Sequence, residues 1–303
     1  MLTYTSGRNL FGKLTNNEES ANLTLGDTLI NESIRAIVRS KPWPFLFKTN
    51  TNTINTVASQ QFYTLPHDVE QVVAITITVG GTIYHAKAAP SREFWNKLNE
   101  YTNSSTLPEW FFVFNGQVGF YPTPSAASNA ITISYKRRIF DLAIADYTTG
   151  NISSIAITAI AVTGSGTTWT AKMGGRYLRI TDSDTANTGD GAWYEISSVS
   201  SATALALRPT YAGATIAAGS AAYTIGQVSV LPEQYQELPI YRACQIYFTS
   251  IQPDATRARM YADMVAQGMN DMKQELSSND TNPVIEDTGR SRINANLYIS
   301  ATA

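Results

Sequence analysis

Apolar positions first fall at helical spacing over residues 29–38, where Leu29, Ile30, Ile34, Ile37 and Val38 line one face. Thr24-Leu25-Gly26-Asp27, just ahead of them, has the form of a capping box that satisfies the first free amides of a helix. Pro42 and Pro44, on either side of Trp43, end that helix. Residues 1–22 are polar and contain Gly and Asn, which predicts an arm without a core of its own. From residue 50 the period drops to two. Val69, Val72, Val73, Ile75, Ile77 and Val79 predict a strand, Gly80-Gly81 a tight hairpin, and Ile83 and Tyr84 the returning strand. Pro90-Ser91 opens a short helix carrying Phe94, Trp95, Leu98 and Tyr101. Asn115-Gly116 sits between two aromatic-rich runs within residues 110–122, a strong hairpin signal, and Ile131, Ile133 and Tyr135 alternate in a further strand. Five or six strands are expected here.

Residues 150–227 differ in texture, being dense in Ala, Thr, Ser and Gly. Short strands are predicted at Ile155–Val162, Tyr177–Thr181, Trp193–Val199, Ala204–Leu207 and Tyr223–Ile225, separated by glycine turns as in a small sandwich or barrel. After Pro232 the period returns to 3.6. Leu238, Tyr241, Cys244 or Gln245, and Phe248 mark one helix, which Pro239 begins or kinks, and Met260, Tyr261, Met264, Val265, Met269, Met272 and Leu276 mark a second. Pro253-Asp254 between them makes a helical hairpin. Beyond Ser277 the sequence is polar and irregular, the composition of a tail ordered by a partner.

Composition changes the picture in one respect. Charged residues are 15% of the 303, well below the ~25% of an average soluble protein, while 16 Tyr are present. A surface so poor in charge suits faces that meet other proteins, and equally a hydroxyl-rich extracellular β protein. The net charge of -2 gives no electrostatic footprint for gripping DNA. No apolar run reaches the ~18 residues of a membrane span, Met1-Leu2-Thr3-Tyr4 is not read as a signal peptide, and folding in a reducing cytoplasm is expected.

Candidate chemistry is sparse. His67 and His85 have no partner at ligand spacing, and Cys244, the lone cysteine, falls in an aromatic helical stripe and reads as a buried structural thiol. Gly164-Ser165-Gly166-Thr167-Thr168 lacks the lysine and following helix of a phosphate loop and reads as a turn. The loop from Asp182 to Asp190 has clustered oxygens, so Asp182, Asp184 and Asp190 are candidate cation ligands. Ala186, Asn187 and Trp193 break the EF-hand register, however, and a solvated turn is the favoured reading. Lys136, Arg137 and Arg138 end a strand as candidate contacts to DNA or to a partner, against the plainer reading of a solvated strand end. No catalytic residue, metal site or cofactor is expected, and the chain is not read as an enzyme.

Taken in order, several short runs resemble a known family. They are Lys41-Pro42-Trp43-Pro44-Phe45, Phe62-Tyr63-Thr64-Leu65-Pro66, Trp95, Leu107-Pro108-Glu109-Trp110, Phe120-Tyr121-Pro122-Thr123-Pro124, Ile131 to Tyr135, Asp141-Leu142 and Leu231-Pro232-Glu233-Gln234-Tyr235. The pattern, over residues 24–145 and 228–277, is similar to the head-to-tail adaptor (head completion, tubular tail or connector) proteins of tailed bacteriophages. It departs from them at about 147–227, where the family usually passes straight from the last strand to the helices. That segment resembles small β-modules of phage structural proteins, and its role stays open between decoration, docking of fibres or tail proteins, and carbohydrate binding.

The resemblance implies a ring, commonly of twelve copies, in the virion neck beneath the portal protein, assembled in the host cytoplasm. Neighbouring copies, the portal and tail nozzle or fibre proteins are the implied partners, and genomic DNA passes through the lumen without sequence-specific binding or any membrane. Ring or portal contacts are expected in the tail, at Asn279, Pro283, Ile285, Arg290, Arg292, Ile293, Leu297 and Tyr298. The expected fold is α+β: an antiparallel β-domain packed with an N-terminal helix and a C-terminal helical hairpin, plus an inserted all-β sandwich or barrel. Its expected organisation is an arm at 1–22, the adaptor core at 23–146 and 228–277, the insertion at 147–227 and a tail at 278–303. The competing reading is a tail or fibre adhesin whose inserted domain binds glycan on exposed Trp169 and Trp193. A hydrolase using Asp182, Asp184 and Asp190 is a more distant one.

Overall fold

The computed structural model describes residues 1–50, 54–181, 189–217 and 219–278. The chain is α+β, with four helices gathered into one layer and the strands in two large sheets and one two-stranded pair. Helix α1 spans Tyr4–Thr15 and α2 spans Ser20–Arg39. Strands β1 (Phe47–Thr49), β2 (Ile54–Asn55), β3 (Phe62–Thr64), β4 (Val69–Val79) and β5 (Thr82–Ala88) follow, then α3 (Arg92–Leu98). Next come β6 (Ser104–Ser105), β7 (Trp110–Phe114), β8 (Gln117–Tyr121), β9 (Thr123–Pro124) and β10 (Ala130–Arg137). A second set comprises β11 (Asn151–Ile155), β12 (Ala161–Ser165), β13 (Tyr177–Ile180), β14 (Trp193–Ser201), β15 (Ala204–Arg208) and β16 (Tyr223–Gly226). Helices α4 (Leu238–Ser250) and α5 (Ala255–Ser278) complete the chain. Among the described residues no helix is long and apolar enough to cross a membrane.

The N-terminal segment corrects the expected arm. Residues 4–15 are helical, with Thr3 as cap, its Oγ1 accepting from the Ser6 amide at 3.2 Å. Phe11 is fully buried, in edge contact with Tyr247 of α4 at 5.8 Å. The buried positions of α1 are Gly7, Phe11, Gly12 and Thr15, so three of the four are small or polar and the apolar period is faint. Helix α2 likewise begins at Ser20, one turn before the expected capping box. Thr24 lies inside it, with Oγ1 returned to the Ser20 carbonyl at 2.9 Å. The two helices meet where α2 offers Gly26: a Cβ there would sit 2.4 Å from Phe11 Cδ1. Around this contact α1, α2, α4 and one face of α5 close a core that includes Ile34, Ile37, Trp43, Ala243, Cys244 and Phe248.

The first sheet runs β1-β10-β4-β5-β7-β8-β3, with β2 also on β10. Ile75, Ile77, Ile131, Ile133, Tyr135 and Phe120 alternate onto its buried face. Both hairpins form as their turn residues require, Gly80 and Gly81 with φ 56° and 83° and Asn115-Gly116 with 50° and 73°. The sheet has eight strands, more than expected, and it is mixed. Because α3 carries the chain across the sheet, β7 returns parallel to β5, at Lys87↔Trp110 and Ala88↔Phe111. Helix α3 ends at Leu98, and Tyr101, expected on it, is 76% exposed.

The second sheet runs β11-β12-β15-β14-β13-β16. Bridges at Tyr147↔Ile225, Ile152↔Ala221 and Ile155↔Ile216 bring its two edges together, so the sheet closes into a small barrel. Its separate core holds Ile152, Trp169, Leu178, Ile196, Leu207, Tyr211 and Ile225. The strand expected over 155–162 is two strands, with residues 156–160 forming the turn and Thr158 at φ 63°.

The barrel's two connections and the N-terminus meet in one junction. The Gln227 side chain accepts from the amides of Ala143 and Ile144 at 2.9 and 3.0 Å and donates to the Asp141 carbonyl at 2.8 Å. Its own carbonyl accepts from the Tyr4 amide at 2.8 Å. Thr3 Oγ1 donates to Asp146 Oδ2 at 2.7 Å, and Asp146 N donates to Thr5 Oγ1 at 3.0 Å. Asp146 thus lies at the first turn of α1, where a negative charge is favoured.

Gly26→Leu is expected to drive Phe11 from its site and lower unfolding stability by about 1–3 kcal/mol, read from urea denaturation. Gln227→Ala, which leaves the Ala143 and Ile144 amides and the Asp141 carbonyl without this partner, is expected to lose about 1–3 kcal/mol in the same assay. Gln227→Glu is expected to recover only part of that, because the carboxylate accepts from both amides but does not donate to Asp141.

Candidate interaction surfaces

Three places on the molecule combine exposure with unusual chemistry. The first is the far end of the barrel. The β11–β12 turn at 156–160 is bonded to the 209–217 segment: Thr158 N to the Tyr211 carbonyl at 2.8 Å, Tyr211 N to the Ala159 carbonyl at 2.9 Å, and Ile157 N to Thr215 Oγ1 at 3.0 Å. Neither 156–161 nor 209–217 contains an Asp, Glu, Lys or Arg. Ile157 and Ile160 nevertheless stand 53% and 50% exposed there. The bonded backbone holds these side chains in one arrangement before any partner arrives, which lowers the ordering cost of binding.

The second is the outer face of α5. Tyr261 and Met272 are buried in the core shared with α4 and Val265 is also buried, while Met260 and Met264, one helical turn apart, are 47% and 42% exposed. Unbranched methionine side chains adapt to the shape of what covers them.

The third is a cleft of about 380 Å³ between the eight-stranded sheet and the barrel. Lys48 spans it, with Nζ 3.6 Å from Asp68 Oδ2 on one wall and 3.8 Å from Glu195 Oε1 on the other. Tyr135 OH donates to Asp68 Oδ1 at 2.7 Å, and its ionisation is pushed well up, first by burial and then by that carboxylate. Thr64, His67, Ser197 and Arg208 complete the polar side chains of the lining. The charges are balanced within the cleft, so its chemistry is that of a joint between two bodies.

The residues singled out from sequence are distributed unevenly. Lys136 pairs with Glu70 at 3.2 Å, Arg137 Nη2 donates to the Val230 carbonyl at 3.4 Å, and Arg138 is exposed. Two of the three basic side chains thus hold the sheet together and tie it to the segment before α4. Cys244 is fully buried, and burial pushes its thiol up to about 12, as a structural role requires. Asp182 and Asp184 lie outside the described residues. Asp190 accepts from Tyr194 OH and from the Ala192 amide. Among the described residues no three His, Cys, Asp or Glu side chains gather at metal-binding spacing.

The tryptophans proposed as a sugar platform do not form one. Trp169 is 3% exposed, with Nε1 donating to Tyr223 OH at 2.8 Å in the barrel core, and Trp193 lies beneath the Arg179 guanidinium at 5.9 Å. His67 stacks on Phe140 at 5.7 Å, and His85 is exposed on β5. Asn279, Pro283, Ile285, Arg290, Arg292, Ile293, Leu297 and Tyr298 all lie outside the described residues. The barrel's exposed end was missed from sequence because Ile157 and Ile160 read as core positions of one long strand. The signal available was the absence of charge from both segments.

No curated protein matches the chain. The sequence model of the SU10 adaptor protein family matches residues 3–165, from the cap of α1 to the last residue of β12. The match takes in α1, α2, the whole eight-stranded sheet and the first barrel hairpin, while α4 and α5 lie beyond it. As this stretch is more than half of the 303 residues, the chain belongs to the SU10 adaptor protein family and is a bacteriophage structural adaptor, a component of the virion.

Proposed function

We propose that copies of the chain form a ring beneath the portal, continue the DNA channel and present the tail attachment surface. The observation that carries this reading is the pair of unlike exposed apolar surfaces on one chain, the Met260–Met264 face of α5 and the Ile157–Ile160 end of the barrel. An assembly that joins different partners above, below and beside each subunit needs such unlike faces, since heterologous contacts pair one surface with another. In this reading α5 faces a neighbouring copy or the portal, and the barrel, as an insertion between the last strand of the sheet and α4, faces the tail. Work is done by binding alone, with no reaction assigned. The shortage of charge fits the same role: a lumen with few cations lets DNA slide where a basic one would retain it.

Purified chain mixed with purified portal protein should give rings seated on portals in negative-stain electron microscopy, while isolated monomers or fibres would count against the reading. The double substitution Ile157→Glu and Ile160→Glu should leave stability within about 0.5 kcal/mol, because both side chains are half exposed. Phage carrying it should accumulate filled heads that contain the chain but lack tails. Normal tailed particles from that variant would remove the barrel end from the attachment surface.

A further inference from the structure

The helices of the layer are not packed equally well. Helix α2 turns Leu29, Ile30, Ile34, Ile37 and Val38 into the core, and α4 turns in Ile240, Ala243, Cys244, Tyr247 and Phe248. Helix α1 buries one large apolar side chain, Phe11, beside Gly7, Gly12 and Thr15. Near its start lies a cavity of about 20 Å³, lined by Leu2, Tyr4 and Gly7 of the N-terminal segment and by Ile30, Ile34 and Ile240 of α2 and α4. Side chains that border such a space lose packing contacts on that side.

Charge does not make up the difference. Arg8 of α1 meets Asp27 of α2 with Nε 3.3 Å from Oδ2, and Arg8 Nε and Asp27 Oδ1 are both buried without a hydrogen bond to the protein. Burial raises the Asp27 carboxyl above its ordinary range, against the lowering effects of the Tyr4 hydroxyl and the Arg8 charge. An enclosed pair left partly unsatisfied is often no more stabilising than apolar side chains of the same volume. A helix with so few buried apolar contacts belongs among the parts of a fold that open first.

What holds α1 is concentrated at its N-terminal end, and most of it reaches the base of the barrel. Leu2 N donates to Gln236 Oε1 at 2.6 Å, Thr3 Oγ1 to Asp146 Oδ2 at 2.7 Å, and Tyr4 N to the Gln227 carbonyl at 2.8 Å. Asp146 N donates back to Thr5 Oγ1 at 3.0 Å. The residues that start α1 are therefore the same ones that close the junction. We propose that α1 is a latch, which opens as a unit ahead of the rest of the helical layer and thereby withdraws Thr3, Tyr4 and Thr5 from the base of the barrel. The barrel then keeps only the grip of Gln227 on the 141–144 tether and the Lys48 bridge. A partner that binds α1 more tightly in one of its two positions sets the freedom of the barrel by that difference in affinity.

Residue-resolved native-state hydrogen exchange on the full chain tests this. After correction for intrinsic rates, the amides of residues 10–15 are expected to exchange at least ~10-fold faster than those of residues 244–248 in α4. The Asp146 and Tyr147 amides, bonded to Thr5 Oγ1 and to the Ile225 carbonyl, report on the junction. Phe11→Ala should speed α1 and both junction amides together by at least ~10-fold, while the Leu178 and Ile196 amides of the barrel core stay as they were. The double substitution Arg8→Met and Asp27→Leu should slow α1 and the junction together by about 10-fold, which keeps the test open if Phe11→Ala does not fold. Wild-type α1 amides that exchange as slowly as those of α4 would overturn the proposal. So would variants in which α1 changes and the junction amides do not, or in which the barrel core changes along with them. The measurement uses the chain without a portal, so a failure of the ring reading leaves its outcome standing.

Discussion

Everything the molecule presents depends on how Gln227, Thr3 and Asp146 hold three distant stretches of chain together. The barrel is joined to the rest by two strands of backbone, and two parallel tethers alone leave a body free to swing. Gln227 removes that freedom by bonding its side chain to three backbone groups of the incoming tether while its carbonyl takes the Tyr4 amide. Thr3 completes the lock from the other side, capping α1 and donating to Asp146 with the same hydroxyl. Gly226 makes the approach possible, for a Cβ there would sit 2.4 Å from Thr3 Cγ2. The Lys48 bridge across the cleft adds a second point of attachment, but its charges are partly exposed and such pairs contribute at most about 1 kcal/mol. The junction is therefore the stronger constraint, and the two sheets keep separate hydrophobic cores.

With the cores separate, each body exposes what its own closure allows. The barrel pairs its edges through the bridges at Tyr147, Ile152 and Ile155, which leaves its loops as the places for apolar contact. The eight-stranded sheet does not close, so its exposed features are edges and a projecting hairpin. In the helical layer α4 is the central element, touching α1, α2 and α5, and α5 therefore keeps one face outward. Three bodies thus give three different kinds of surface from one chain, as an adaptor between unlike partners requires. The charge-poor composition follows from the same demand, because charges buried on assembly lose hydration that contacts must then replace.

Local signals in the sequence were legible wherever one or two residues set the backbone. Gly80-Gly81 and Asn115-Gly116 mark hairpins because few other pairs hold positive φ twice, and the 3.6-residue periods of α2, α4 and α5 follow from cores they can bury on one face. What escaped depends on partners far away in sequence. Helix α1 is helical because Phe11 finds Gly26 and Tyr247, and its own stripe is interrupted by Gly7. The parallel pairing of β5 with β7 needs α3 to be placed on the sheet before it can be deduced. Barrel closure rests on single bridges such as Ile155↔Ile216, which leave no run of alternating residues to read. Of the surfaces, the methionines of α5 were visible only as part of its apolar stripe, which does not say which of them a neighbour covers. Trp169 misled, since an aromatic in a Thr- and Gly-rich stretch looks exposed until Tyr223 is found beneath it.

The family match divides the molecule in an informative way. It ends with β12, so the part that defines the family stops in mid-barrel, after one hairpin whose strands have their remaining partners elsewhere. A hairpin alone in water is marginal at best, and β12 here is completed by β15 while β11 is closed by the 216–221 segment. The helical layer is divided in the same manner, with Phe11 and Gly26 inside the match and Tyr247 outside it. The matched stretch holds the whole core of the eight-stranded sheet, but residues beyond it supply the partners of the barrel hairpin and of α1 and α2. Since Gln227 and α4 both lie in that later part, the geometry of the matched stretch depends on residues beyond it, through Tyr247 against Phe11 and Gln227 on the 141–144 tether.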